Sequence, residues 1–498
     1  MQQIPTNPLY QDYNMKKIAL LTFPLLLMAS QADINKRIQQ LEQEVKKLKK
    51  QSEQNNAYVD NGMEILEKVE TKSILDKVNF SPELLLRFEQ FDYKSGKIEG
   101  ENTTVSGDPA LGGNTSDTRQ RRDEFSKHYS IASSIRFRLN MSANFDDVKF
   151  HGRLLYMNSS QSNQRLCILS RDIKSGTAGS AFDVDRAYID YKIMPDFTFS
   201  FGLLPTTAGT PMQYAQNKKR NSLFPALVFN MNTYGVILTQ KFAQNSYARL
   251  VLAKPYTLRP QFYPYQCNRE NIDNADIVGL YGDTRFDLAG NALLSYGVNI
   301  LNNFKAHPYL GPDIDSSNAH NLGTMLSFGL GLDIEEFFNS KTTVFVHSAL
   351  SNPHPNGTED DYKITQYVNG VGLTNGGYTG FTEADYASGT MLTKNGYSLF
   401  VGTKYDLNTA FNFGAEFNYG SKYWFSATQG AEDTFNKLAV RGYAGEFYTT
   451  WKFHKYLNAK LSYLYIQENY TGSGWHFGEP AKKDAQQSIA SLSLEARF

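Results

Sequence analysis

Cysteine is almost missing from this chain of 498 residues, which holds two, Cys167 and Cys267. Two are too few for a disulfide framework or a cysteine-rich metal centre. An excess of either charge is missing as well. Fifty Lys and Arg balance fifty Asp and Glu, which speaks against a nucleic-acid partner. The eight histidines, His128, His151, His347 and His454 among them, show no HExxH-like spacing. His347 stands beside Ser348, but neighbours in a strand face opposite sides and form no nucleophile–base pair. The Gly-rich stretches "NGYSLFVG" and "GGYTG" read as turn material without a phosphate loop. No catalytic residue, metal site or cofactor is expected. Past residue 32 there is also no run of about 18 apolar residues, so no membrane-spanning helix is expected.

What is abundant is aromatic residues and glycine: 31 Tyr, 33 Phe and 37 Gly. That mixture favours strands and turns over helices. The one strongly apolar segment lies early, in "MKKIALLTFPLLLMASQADI". Lys16 and Lys17 precede an apolar core at 18–29, and Ser30-Gln31-Ala32 follows with small residues at the cleavage positions. The core is too short to span a bilayer, and the three parts together read as a signal peptide. Met15 is then the natural start, residues 1–14 are an upstream extension, and 1–32 is removed.

Two modules follow. In "DINKRIQQLEQEVKKLKKQ" the residues Ile34, Ile38, Leu41, Val45 and Leu48 keep a four-three spacing, the seam of a coiled coil. A single solvated amphipathic helix is the alternative. A helical leader is assigned to 33–80, with further helix across 61–77 ending near Ser81-Pro82. From Glu83 the period becomes two. In "SSIRFRLNMSA", Ile135, Phe137, Leu139 and Met141 face one way and Arg136, Arg138 and Asn140 the other. "FNFGAEFNY" and the closing "SLSLEARF" repeat the pattern, and in the latter Leu492, Leu494, Ala496 and Phe498 share one face.

Sixteen strands are expected, near 83–92, 131–144, 149–158, 183–194, 197–204, 233–241, 247–254, 276–287, 292–301, 321–334, 342–349, 394–407, 410–420, 440–453, 459–469 and 485–498. Several reach the nine or more residues that cross a bilayer at a tilt, and the number is even. Short connections (145–148, 195–196, 408–409) interleave with long ones (93–130, 159–182, 205–232, 350–393). The expected fold is therefore all-β, an antiparallel transmembrane barrel over 81–498 with a short N-terminal periplasmic coiled-coil helix. Short turns belong on the periplasmic side and long loops outside.

The layout of signal peptide, coiled coil and a strand such as "ELLLRFEQFDY" resembles outer-membrane porins of Gram-negative bacteria. The leader is similar to that of the phosphate-selective porin O and P group. The segments "RFRLNMSANFDDVKFHGRLLYMNSS" and "DVDRAYIDYKIMPDFTFSFGLLPTTAGTP" look like an uncharacterised porin-like family of ε-proteobacteria. The resemblance implies a porin in the cell outer membrane that admits small hydrophilic solutes or ions by passive diffusion. The terminal Phe498 resembles the signal read by the barrel assembly machinery. Expected partners are outer-membrane lipids, that machinery, a homotrimer and small hydrophilic solutes.

A pore works through its lining. Arg136, Arg138 and Arg153 share the lumen-facing parity on adjacent strands. They form either a basic ladder that favours anions or a wall paired with Asp185, Asp190 or Glu416. Lys218, Lys219 and Arg220 line a constriction if the connection 205–232 folds inward; otherwise they sit on a solvated tip. Cys167 and Cys267 both fall in long loops, as a disulfide or as free thiols. Tyr463, Tyr465, Phe447 and Trp451 are candidates for interfacial girdles. The competing reading is a structural or adhesive barrel, tethered to the cell wall, with no open pore.

Overall fold

The computed structural model describes residues 77–95, 103–106, 116–119, 125–159, 181–219, 224–255, 270–271, 275–306, 320–356, 364–368, 385–389, 392–428, 433, 435–470, 480 and 482–498. The signal peptide, the coiled-coil segment, Arg220, Cys167 and Cys267 lie outside the described residues. No α-helix is present among the described residues.

Period-two alternation produces sixteen long strands. They are β1 (Val78–Ser95), β2 (Phe125–Phe145), β3 (Val148–Ser159), β4 (Ala181–Met194), β5 (Phe197–Leu204), β6 (Thr233–Ala243), β7 (Ser246–Pro255) and β8 (Asp276–Asp287). There follow β9 (Asn291–Ala306), β10 (His320–Glu335), β11 (Thr342–Pro355), β12 (Gly396–Asp406), β13 (Phe411–Gly420), β14 (Gly442–His454), β15 (Leu457–Tyr470) and β16 (Lys482–Arg497). Each pairs antiparallel with its sequence neighbours, and β16 returns to β1. Leu84 stands opposite Ala496 on one side and Phe137 on the other, so neither strand keeps an open edge.

The expected sixteen strands and their even number hold. Differences are at the ends, where β2 starts at 125 rather than 131 and β11 runs to 355 rather than 349. Strand β1 begins at Val78, before the expected module boundary at residue 80. Pro82 does not stop it: proline lacks an N–H but keeps its acceptor, and its carbonyl takes the Phe498 N–H at 3.1 Å. Seven tight turns close one end of the barrel, and the longer connections leave the strands at the other end. Strand β1 starts at the turn end.

The two faces differ in chemistry. On β13, Phe411, Phe413 and Phe417 are exposed outward while Asn412, Glu416 and Asn418 are buried inward. Leu84, Leu330, Val346, Leu399, Leu461, Leu492 and Leu494 extend the exposed apolar belt around the outside. Aromatic rows border it. Tyr397, Tyr419, Tyr443 and Tyr465 lie on successive strands near the loop end, with centroids 6.0 Å apart for the first pair and 6.2 Å for the last. Phe411 stacks on Trp451 at 5.7 Å, and Tyr456 meets Phe498 at 5.3 Å, near the turn end. Phe447 and Tyr463, by contrast, face each other in mid-belt. From Tyr443 to Trp451 a strand advances about 26 Å, which a tilt of about 40° reduces to about 20 Å.

Candidate pore and its lining

The lumen is not empty. The connection between β5 and β6 folds inward, and Met212, Tyr214, Ala215, Phe224, Ala226, Leu227, Val228, Phe229 and Met231 are all buried. The segment "FPALVFNM" is apolar enough to make its own core against β8–β11. Phe224 meets Tyr281 edge-on at 5.0 Å, and Phe229 stacks on Tyr281 at 5.6 Å. The wall makes room with small residues. A Cβ on Gly297 would strike the Tyr281 ring, and one on Gly329 would strike Val228.

Polar pins hold this segment at several depths. Thr206 donates to the Met231 carbonyl at 2.7 Å, Arg186 donates to Thr207 at 3.2 Å, and Thr210 donates to Asp333. The Asp333 carboxylate also meets His347 at 3.1 Å. A second inward segment, between β13 and β14, leans on the first. The Ser426 hydroxyl donates to the Leu227 carbonyl at 3.1 Å, and the Asn230 N–H to the Ala427 carbonyl at 3.0 Å.

The predicted basic residues lie on this inner surface. Arg136, Arg138 and Arg153 are all buried. Arg138 lies 3.5 Å from Asp185, and Arg153 pairs with the same carboxylate. Asp185 reaches them through a register slip between Arg153 and Leu154, which turns both Asp185 and Arg186 inward. Asp190 is taken by Ser200 at 2.6 Å and His151 at 3.1 Å. Arg138 and Arg153 therefore form the paired wall that the sequence left as one of two options. Lys218 is inside, ion-paired to Glu83 at 3.5 Å and Glu495 at 3.7 Å, whereas Lys219 is exposed.

Glu416 belongs to a four-membered network. The Lys437 ammonium donates to Glu416 at 2.6 Å and to Glu446, which also receives Lys460 at 2.8 Å. Burial alone lowers the Lys437 pKa, but the carboxylates of Glu416, Glu446 and Asp433 outweigh it and hold the ammonium charged well above the ordinary lysine range.

Between the inward segments and the wall β14–β16, β1 and β2 a cavity of about 120 Å³ remains. Its floor is small and hydroxylic, from Ser462, Ser491, Ser493 and Thr450. Arg87, Arg136, Lys218, Lys437, Lys460 and Arg497 border it together with Glu89, Asp433, Glu446 and Glu495. Most of these, Arg87, Glu89, Lys437, Glu446, Lys460 and Arg497 above all, were not among the expected site residues. The inward parity of Arg87, Glu446, Lys460 and Arg497 was the available signal. No group of His, Cys, Asp and Glu able to hold a metal occurs among the described residues.

Comparison with known proteins adds a family and a set of folds. A family model described as "Protein of unknown function (DUF3373)" matches residues 126–495. No curated relative matches the sequence. Among solved structures the chain is similar to OprB of Pseudomonas putida, with 11% identity over 86% of this chain and 96% of that one and a TM-score of 0.45. It is similar to the outer membrane channel DcaP of Acinetobacter baumannii, with 11% identity over 85% and 98% and a TM-score of 0.41. A triple mutant of the Rhodopseudomonas blastica porin follows, with 12% identity over 84% and 100% and a TM-score of 0.36.

Proposed function

The chain belongs to the DUF3373 family, and from that premise we propose that it is an outer-membrane porin passing small hydrophilic solutes or ions by diffusion. One observation carries the reading: the polarity is inverted, with an apolar belt between aromatic rows outside and charged, hydroxylic groups inside. A soluble barrel of this size would expose the charges and bury the belt. The solute route is the off-centre cavity along β14–β16, β1 and β2, where six bordering cations against four carboxylates give it a preference for anions. The turn end faces the periplasm, where β1 would meet the coiled-coil leader. Assembly as a homotrimer, recognition of Phe498 by the barrel assembly machinery and kinship with the phosphate-selective porin O and P group belong to the same proposal.

Reconstitution into planar bilayers tests it. Stepwise unitary currents are expected, with a reversal potential across a KCl gradient that favours chloride. A folded barrel that stays electrically silent would overturn the pore, and potassium preference would refute the anion bias. The apolar packing of the two inward segments favours a second reading, a structural barrel with no open pore, and silence would select it.

A further inference from the structure

The tip of the first inward segment reaches the turn end of the barrel. There Tyr214 N–H bonds to the Pro211 carbonyl at 3.2 Å, Asn217 N–H to Tyr214 at 3.1 Å and Lys218 N–H to Gln213 at 3.1 Å. The turn ends on Asn217 at φ 49°, a left-handed conformation that asparagine tolerates. Ending this way leaves the Gln216 and Asn217 carbonyls without partners in the turn itself, aimed at the wall.

Arg497 answers them. Its guanidinium donates to the Gln216 carbonyl at 2.9 Å and to the Asn217 carbonyl at 3.2 Å, and it is braced by Glu495 two residues earlier on the same face. Glu495 and Glu83, from the last and first strands, also take Lys218 of the tip. Arg497, Glu495, Lys218 and Gln216 line the same cavity together.

We propose that Arg497 is the positioning residue of the passage: its two-armed grip on the Gln216 and Asn217 carbonyls sets the distance between tip and wall, and so the width at the turn end. The inference rests on the porin reading for its consequence, but not for its geometry. An arginine is suited to the task because its planar fork grips two acceptors at once, which a lysine ammonium on a flexible stem does not reproduce.

The test uses the whole barrel with Cys167 and Cys267 replaced by Ser and Gln216→Cys as the probe, since Gln216 enters the grip only through its carbonyl. The rate of modification by a bulky, membrane-impermeant maleimide is measured in folded, heat-modifiable protein. Slow labelling is expected with Arg497, at least tenfold faster labelling with Arg497→Ala, and an intermediate rate with Arg497→Lys, which keeps the charge but not the fork. Unitary conductance should rise about twofold in Arg497→Ala. Equal labelling rates in the parent and Arg497→Ala would overturn the grip, as would a parental rate in Arg497→Lys. If Arg497→Ala does not fold, Glu495→Gln, which removes the brace, must speed labelling instead; no change there would overturn the proposal. An electrically silent parent defeats the pore reading alone, because the labelling comparison still decides the clamp.

Discussion

The Lys437 ammonium and the Glu416 carboxylate lie 2.6 Å apart, tying the second inward segment to the middle of β13. Lys437 is the hub, since Glu446 shares it. Removing one partner of a buried ion pair strands the other, a loss of about 3–5 kcal/mol. Lys437→Met is therefore expected to lower the unfolding free energy of the barrel, read from its urea transition, by that amount. Because the Lys437 pKa is raised, its contribution is complete below the ordinary lysine value and is lost progressively as pH climbs from there through the raised one. The midpoint should stay flat from about pH 7 to about pH 10 with respect to this residue. A decline in that window that Lys437→Met abolishes would contradict the assignment.

Asp185 serves two guanidiniums at once. Asp185→Asn keeps the shape but leaves Arg138 and Arg153 without their shared charge. Destabilisation of about 3 kcal/mol is expected from the loss of the carboxylate that the two buried cations share. In a barrel that still folds, the reversal potential should move further toward chloride. An unchanged urea midpoint would show that the pairing contributes nothing.

Gly202 and Gly235 face each other across β5 and β6, where the inward segment leaves and rejoins the wall. Both have positive φ, at 125° and 159°, and a Cβ on Gly202 would overlap the Ala187 carbonyl oxygen. Gly202→Val adds backbone strain of about 1–3 kcal/mol to that overlap. The expected result is a sharp drop in heat-modifiable protein, whereas full recovery would mean that the wall gives way there.

Trp451 is exposed on the outer face of β14 within the turn-end aromatic row. In a variant that keeps Trp451 but carries Phe at Trp424 and Trp475, lipids brominated near the headgroup should quench the fluorescence more strongly than lipids brominated near the chain end. The reverse order would misplace the belt.

Phe498 leaves its ring exposed, beside Tyr456, while its N–H closes the seam onto Pro82. Phe498→Ala keeps that hydrogen bond, so refolding in detergent should be nearly normal. Its role as an assembly signal instead predicts less folded protein in the outer-membrane fraction of cells. Unaltered levels would remove that role.

The barrel was legible because each of its strands writes alternation into the sequence, and Leu492, Leu494 and Ala496 fall outward as their parity requires. The filled lumen was less so. An apolar run such as "FPALVFNM" within a long connection was the sign of an inward segment, and period-two reading passes over it because a loop has no parity. Charge partners were legible as a short set of candidates, Asp185 among them, but the sequence did not single it out. Arg138 and Arg153 meet Asp185 through a slip in register, which displaces parity by one residue and leaves no mark in composition. Lys437 was hidden for the opposite reason: it sits outside any strand, and only the fold brings it to Glu416 and Glu446.

The contacts at the tip of the first inward segment also impose an order of events. Glu83 lies near the start of the first strand and Glu495 and Arg497 near the end of the last, so their shared site does not exist until the sheet closes on itself. A chain still acquiring strands has nowhere to seat Gln216–Lys218. Closing the sheet and narrowing the interior at the turn end are therefore linked, because the site that receives Gln216–Lys218 is complete only in the closed barrel.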